Sequence, residues 1–284
     1  MENIEKIINK IGDVIKKQKK LPFLKEAYGI FAYKSSSGYK FVNYVTATAL
    51  LIVVLILGFV IFAFFNCFGA VSSLNKINFI TILFFLLSIS FGSFFISPFL
   101  HGYFLMVYKD IYQNLKSDLS DFFFFIHTFD KNKINYIIEG YIASFIAVFI
   151  FAISFLMAIG IGSLLVKFIP SLPVIGFLMG IFLKLIVYII MFSFSLTLVI
   201  VFIVHFILEN QVYFNTNVKE FDLGVFFVKI STVLKKAVVS YLTNFVSFLF
   251  IGLFMSVGFV TIIGNIITFP LGSMMIGIVL RKRV

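Results

Sequence analysis

The sequence predicts an all-α integral membrane protein, a polytopic bundle of about six transmembrane helices. Of its 284 residues, 61% are hydrophobic and only 12% are charged, whereas soluble domains are roughly half apolar and a quarter charged. Charged side chains are absent from 41–75, 77–108, 140–166, 185–208 and 237–280. Each tract exceeds the ~20 residues that cross a hydrocarbon core. None of them alternates between apolar and polar residues as β-barrel strands do, so the spans are predicted to be helices.

The number of spans follows from the lengths of these tracts. As one helix, 237–280 would be about 66 Å long at 1.5 Å per residue, roughly twice the hydrocarbon thickness. Gly258, Gly264 and Asn265 mark a fold-back, and Pro270 lies near the start of the returning helix. The predicted spans are therefore 44–68, 78–107, 137–167, 174–208, 238–260 and 266–280.

The distribution of lysine and arginine predicts the orientation. With six spans, twenty of the twenty-three basic residues fall in the two termini and in the loops 109–136 and 210–237. Basic loops stay on the cytoplasmic side, so both termini are expected in the cytoplasm and the chain in the cell (inner) membrane. The polar, Lys-rich start is unlike a cleavable signal peptide.

Residues 1–40 form a separate interfacial segment before the transmembrane domain, 41–284. Within it, 3–19 carry isoleucine and valine at helical spacing, with lysines largely on the other face, which predicts an amphipathic helix lying on the membrane. Lys16, Lys17, Lys19 and Lys20 are candidate ligands for anionic lipid headgroups. A solvated basic tail that only sets the topology is an equally open interpretation.

Three polar and aromatic segments, 29–34, 121–126 and 224–229, each precede a span that leads outward. They fit interfacial elbows in which aromatic rings rest among headgroups. The helices that follow two of them are alike, because Tyr141-Ile142-Ala143-Ser144-Phe145 aligns with Tyr241-Leu242-Thr243-Asn244-Phe245. The bundle could thus consist of three elbow-plus-hairpin units, and chance similarity in a chain rich in Phe is the alternative.

Small residues four apart, such as Gly252 with Ser256, predict close packing between helices. Gly176 and Gly180 would also suit a homo-oligomeric interface.

Pro98 in the serine-rich second span predicts a kink. Proline frees a carbonyl one turn earlier, which a neighbouring hydroxyl or water can bond.

The sequence predicts neither an enzyme nor a cofactor. Carboxylates lie in tails, loops or span ends rather than in pairs inside the membrane, which disfavours acid–base catalysis and proton-coupled transport. Three scattered histidines and the single Cys67 do not match a zinc motif, and no phosphate-binding loop is present. No metal site and no nucleic-acid partner are expected.

Three intramembrane side chains are candidate ligands. Lys184 lies ten residues into a tract that begins at Val174, where a buried ammonium would suit an anion site. If the span starts near Leu185 instead, Lys184 extends to the outer interface. His101 and His205 are weaker candidates for an anion or ligand, since each could simply bond a neighbouring helix.

The run Ser97-Pro98-Phe99-Leu100-His101-Gly102-Tyr103, together with Phe269-Pro270-Leu271-Gly272, resembles uncharacterised bacterial six-span proteins. These are related to the membrane domain fused to some glycerophosphodiester phosphodiesterases. The resemblance carries no established activity for the membrane part and no catalytic residue. The layout is more weakly similar to the sulfate permease family of cysteine biosynthesis, which implies anion permeation.

Two functions follow as hypotheses. The first is a non-enzymatic membrane scaffold or lipid-interacting component that works through its basic cytoplasmic face and binds anionic lipids. The second is a permease or channel for a small anion. An intramembrane lipid enzyme is the third and least favoured reading, because the acids and histidines do not cluster in sequence.

Overall fold

A computed structural model describes residues 22–35, 38–72, 79–114, 116–123, 138–147, 149, 151, 160, 175–214, 222–259 and 262–281. The described chain is helical, apart from a two-residue antiparallel β pairing. The helices are α1 (Pro22–Phe31), α2 (Lys40–Ser72), α3 (Phe79–Tyr112), α4 (Ile138–Ala147), α5 (Ile175–Phe214), α6 (Leu223–Thr243), α7 (Phe245–Phe259) and α8 (Ile262–Arg281). Strands β1 (Lys34–Ser35) and β2 (Gly38–Tyr39) join α1 to α2, and a short 3₁₀ helix (Leu119–Asp121) follows α3.

Four described helices are long and apolar enough to cross a membrane, and a bent pair raises the number to five. The segments that qualify are Lys40–Ile61, Leu87–Tyr112, Met179–Glu209 and Gly264–Arg281, which overlap the predicted first, second, fourth and sixth spans. Of the predicted third span, 137–167, the described part is mainly α4. Six spans therefore remain a prediction, and the amphipathic helix predicted at 3–19 lies outside the described residues.

The predicted fifth span, 238–260, is divided by a bend. Residues 238–243 belong to α6, which ends at Thr243 with Asn244 as its C-cap, and α7 then leaves at 90°. The exposed Asp222 caps the start of α6 by accepting from the backbone N–H groups of Gly224 and Val225. The third predicted elbow, 224–229, is accordingly the first part of a longer helix.

The helices pack as hairpins with close backbone contacts. At the crossing of α2 and α3, a Cβ on Gly58 would lie 2.7 Å from Ile96 Cδ1. Where α7 meets α5, a Cβ on Gly252 would lie 2.7 Å from the Ser193 carbonyl oxygen, and the hydroxyls of Ser193 and Ser256 are 2.7 Å apart. The predicted packing role of Gly252 and Ser256 is thus observed.

This arrangement brings one end of several helices together. The start of α2 contacts the end of α3 through Lys40 and Asp110, and the end of α8 contacts the end of α3 through Arg281 and Ile111. Gly258 lies beside Thr268 and Gly272 beside Met255, so α7 and α8 run antiparallel and the start of α7 lies level with the end of α8. Ser240, just before α7, bonds His205 near the end of the segment Met179–Glu209, so this part of α5 lies at the same level. We call this the polar end of the bundle.

The carbonyl that Pro98 frees is bonded by a hydroxyl, which is one of the two kinds of partner predicted for it. Pro98 lies inside the helix and has no N–H to donate to the carbonyl of Phe94, four residues earlier. The hydroxyl of Tyr141 on α4 donates to that carbonyl at 2.6 Å. The two aromatic rings also meet edge to face, with centroids 4.9 Å apart. A tyrosine on the neighbouring helix therefore replaces the missing backbone bond.

Candidate functional site at the polar end

A buried ion pair joins α2 to α3 at the polar end. Lys40 Nζ lies 3.0 Å from Asp110 Oδ1, and both side chains are almost fully enclosed, at 2% and 0% exposure. The Lys40 ammonium also donates to the backbone carbonyl and the hydroxyl of Ser117, the latter at 3.1 Å. All three ammonium protons therefore have acceptors within this cluster.

Asp110 is equally well satisfied. Its carboxylate accepts from the Tyr44 hydroxyl at 3.0 Å, from the Ser117 backbone N–H at 3.0 Å and from the Ser117 hydroxyl at 2.7 Å. A buried ion pair with full hydrogen bonding offsets much of the desolvation cost of its charges. This Lys40 cluster, comprising Lys40, Tyr44, Asp110 and Ser117, is a closed structural unit with no free group to offer a ligand.

A second charged cluster lies where α6 crosses the end of α5. Lys229 pairs with Glu139 at the start of α4, and its ammonium lies 5.8 Å from the centre of the Phe206 ring. Nearby, Lys236 pairs with Glu209. The two lysines differ in exposure, because the side chain of Lys229 is 5% exposed and that of Lys236 is 50% exposed.

The end of α8 is held by further polar contacts. Arg281 pairs with Glu26 on α1, and its guanidinium donates to the carbonyl of Ile111 at 3.1 Å. The Tyr112 hydroxyl donates to the Gly277 carbonyl at 3.3 Å. The bond to Ile111 satisfies a carbonyl in the last turn of α3, which otherwise lacks an intrahelical partner. The ion pair with Glu26 connects α8 to α1.

The two candidate histidines form matching contacts between helices. His101 Nδ1 lies 3.2 Å from the Ser144 hydroxyl on α4, and His205 Nε2 lies 3.0 Å from the Ser240 hydroxyl on α6. His101 is fully buried, and its ring packs against Gly140. These contacts fit a role in helix packing, which was the alternative to ligand binding.

The aromatic contacts beside the histidines also repeat. Tyr141 meets Phe94 edge to face at 4.9 Å, and Tyr241 meets Phe194 edge to face at 5.0 Å. The α3–α4 and α5–α6 junctions thus share a Phe–Tyr contact and a His–Ser bond. The Phe–Tyr contact agrees with the alignment of Tyr141 with Tyr241, whereas Ser144 aligns with Asn244 and not with Ser240. The three-unit organisation remains a prediction.

The remaining predicted ligands are only partly described. Position 184 lies in α5, inside the segment Met179–Glu209, while its side chain is outside the description. The neighbouring Phe182, Leu183 and Leu185 are exposed apolar side chains. The headgroup candidates Lys16, Lys17, Lys19 and Lys20 lie outside the described residues.

The Lys40–Asp110 pair was not predicted as a pair. From the sequence, Lys40 belongs to the basic N-terminal segment and Asp110 to the end of a span. One signal was available, since an antiparallel hairpin places the start of one span beside the end of the next. A lysine just before the first apolar tract and an aspartate just after the second were therefore candidates for contact.

Within the described residues, no group of three or more His, Cys, Asp or Glu could hold a metal ion. Among the described residues of the polar end, ten charged side chains form five ion pairs, the fifth being Lys109 with Asp121 at 2.5 Å. Comparisons with protein-family models, with curated proteins and with solved structures give no match for this chain. The apolar helices are consistent with an integral membrane protein, which is the class that the fold defines.

Proposed function

We propose that this chain is a non-enzymatic integral membrane component that binds anionic lipid through a basic surface at its polar end. The lipid would be in the cytoplasmic leaflet of the cell membrane, with both chain termini on that side. The resemblance to the uncharacterised six-span family remains part of this proposal and assigns no reaction.

One observation supports it most directly, the balance of exposed charge. Among the described residues, six basic side chains are exposed (Lys25, Lys34, Lys116, Lys235, Lys236 and Arg281), against two exposed carboxylates (Asp118 and Asp222). Lys236 and Arg281 are paired with Glu209 and Glu26, and the other four exposed basic side chains still outnumber the two exposed carboxylates, so the surface excess is positive. Basic residues near an anionic leaflet gain about 1 kcal/mol each.

The test compares lipid stabilisation of the purified full-length protein. Thermal unfolding would be followed in detergent with added phosphatidylglycerol or phosphatidylcholine. A ligand that binds only the folded state raises the unfolding temperature. The proposal expects phosphatidylglycerol to stabilise the wild type more, and Lys25→Gln with Lys116→Gln and Lys235→Gln together to remove most of that difference.

The control variant removes the same number of charges from elsewhere. Lys76→Gln, Lys167→Gln and Lys184→Gln together change the three lysines outside the predicted cytoplasmic segments. This variant should keep the preference for phosphatidylglycerol. An equal response of the wild type to both lipids, or an equal loss in both triple variants, would refute binding at the polar end.

The second candidate is a permease for a small anion. It is favoured by the position of residue 184 inside a segment that can span the membrane, where an ammonium would attract an anion. The test is sulfate flux into proteoliposomes, comparing wild type with Lys184→Ala. Saturable flux that is lost in the variant would support the permease, and flux equal to that of empty liposomes would rule it out for sulfate.

A further inference from the structure

The direction of α6 relative to α5 can be read from their contacts. Phe226 meets Phe206, with ring centres 6.5 Å apart, and ten residues further along α6, Lys236 pairs with Glu209. Ten residues of helix advance about 15 Å, whereas three residues advance about 4.5 Å. From Phe226 to Ser240, which bonds His205, the contact thus moves far along α6 and little along α5. Only Tyr241, beside the bend, contacts Phe194 and Thr197 further back on α5. Over most of its length, α6 therefore crosses α5 at a steep angle.

The crossing lies at the end of the membrane-spanning segment. Glu209 is the last residue of the segment Met179–Glu209, and Ser240 of α6 bonds His205 one turn earlier. By contrast, α7 contacts the middle of α5 through Ser193. The 90° bend at Asn244 therefore separates a helix that follows the bundle axis from one that lies across it.

The surface of α6 has three sides. One side packs on the bundle through Phe226, Lys229, Val233, Ala237 and Tyr241. At about 100° per residue, Phe227, Leu234 and Val238 form a second side, which is exposed and apolar. Thr232, Lys236 and Thr243 lie on a third side, which is exposed and carries both polar and apolar residues, because Val225 and Val239 also lie there.

We infer that α6 lies in the plane of the membrane, with its apolar side resting in the headgroup and acyl boundary of one leaflet. Amphipathic helices occupy this depth, and lysines beside them reach the phosphates. The occupant of the apolar side is the lipid leaflet itself, because the helix lies level with the end of α5. This inference extends the proposed function, yet α6 can lie in a leaflet whether or not anionic lipid binds preferentially.

Depth measurements on single-cysteine variants test the inference. In a Cys67→Ser background, which removes the only cysteine, Phe227→Cys and Val238→Cys place a fluorescent label at two points on the apolar side. The protein is reconstituted in vesicles of phosphatidylcholine alone and of phosphatidylcholine with phosphatidylglycerol. Quenching by lipids that carry the nitroxide at two depths reports the position of each label.

The helix α7 supplies a control with the same spacing. Val246 and Val257 are also eleven residues apart and are exposed at 79% and 68%. Eleven residues span about 16 Å of helix. The inference expects labels at 227 and 238 to lie at one depth, while labels at 246 and 257 differ by about 16 Å if α7 stands upright.

Two results would overturn the inference. A depth difference of about 16 Å between 227 and 238 would mean that α6 crosses the membrane as part of a broken span. If both labels were quenched by aqueous iodide as strongly as a label at Thr232→Cys, and not by the nitroxide lipids, α6 would face water and be open to a soluble partner. Equal depths in both lipid mixtures would establish the in-plane helix even if the preference for anionic lipid failed.

Discussion

The hydroxyl of Tyr141 should stabilise the fold only because position 98 is proline. Tyr141→Phe keeps the ring that contacts Phe94 at 4.9 Å and removes the donor that lies 2.6 Å from the Phe94 carbonyl. In lipid there is no water to take its place. Helix-to-helix hydrogen bonds in membranes contribute about 0.6 to 2 kcal/mol, so we expect a loss of ~1 kcal/mol.

The decisive measurement is a double-mutant cycle with Pro98→Ala. Alanine restores a backbone N–H that can bond the Phe94 carbonyl within α3, which makes the tyrosine hydroxyl redundant. Tyr141→Phe should therefore cost ~1 kcal/mol in the wild type and little in the Pro98→Ala background. The free energy of unfolding would be measured by titrating SDS into mixed micelles, with helix content followed by circular dichroism.

An equal cost of Tyr141→Phe in both backgrounds would refute the reasoning. It would show that the hydroxyl acts through some interaction other than the carbonyl freed by Pro98. A cost of zero in the wild type would instead show that the carbonyl finds another partner. Pro98→Ala alone is not informative, because it changes helix propensity and bending at once.

Three further predictions use the same unfolding assay. Gly252→Ala should destabilise the protein by about 1 to 3 kcal/mol through overpacking, because its Cβ would press on the Ser193 backbone. Gly180→Ala, which has open space around its Cβ, should be neutral or slightly stabilising. Equal effects of the two substitutions would contradict the close α5–α7 contact. Lys229→Ala should destabilise the protein several times more than Lys236→Ala. Breaking a buried ion pair costs about 3 to 5 kcal/mol of stability, and breaking an exposed pair costs about 0 to 1 kcal/mol. The reverse order would count against the placement of α6. Asp110→Ala should destabilise the protein by about 3 kcal/mol or more, because it leaves a buried ammonium without its counter-charge. Adding Lys40→Met should recover part of that lost stability. No recovery would mean that the two residues are not coupled.

Much of the bundle was predictable because lipid imposes a simple rule on the chain. A span must be long, apolar and internally hydrogen-bonded, and uncharged tracts meet these demands visibly. The structure accordingly places helices over the predicted first, second, fourth and sixth spans. The bend at Asn244 was not predictable in this way, since residues on both sides of it are apolar and composition does not record the direction of a helix.

The candidate site shows the same division. The residue types at the span ends were visible, but Lys40 and Asp110 are seventy positions apart in the chain, and only packing of α2 on α3 makes them a pair. The carbonyl freed by Pro98 could be foreseen together with its need for a hydroxyl or a water. That the hydroxyl belongs to Tyr141 depends on how α4 lies against α3.

The sequence by itself therefore determined the class of protein, the approximate spans and the concentration of basic residues in the termini and two loops, because these follow from the free energy of transferring each segment between water and lipid. The tertiary structure alone decided which charges neutralise one another, which helix crosses the bundle and where small residues let backbones approach. Those features depend on distances between segments remote in the chain, and the transfer free energy of a segment carries no information about its neighbours.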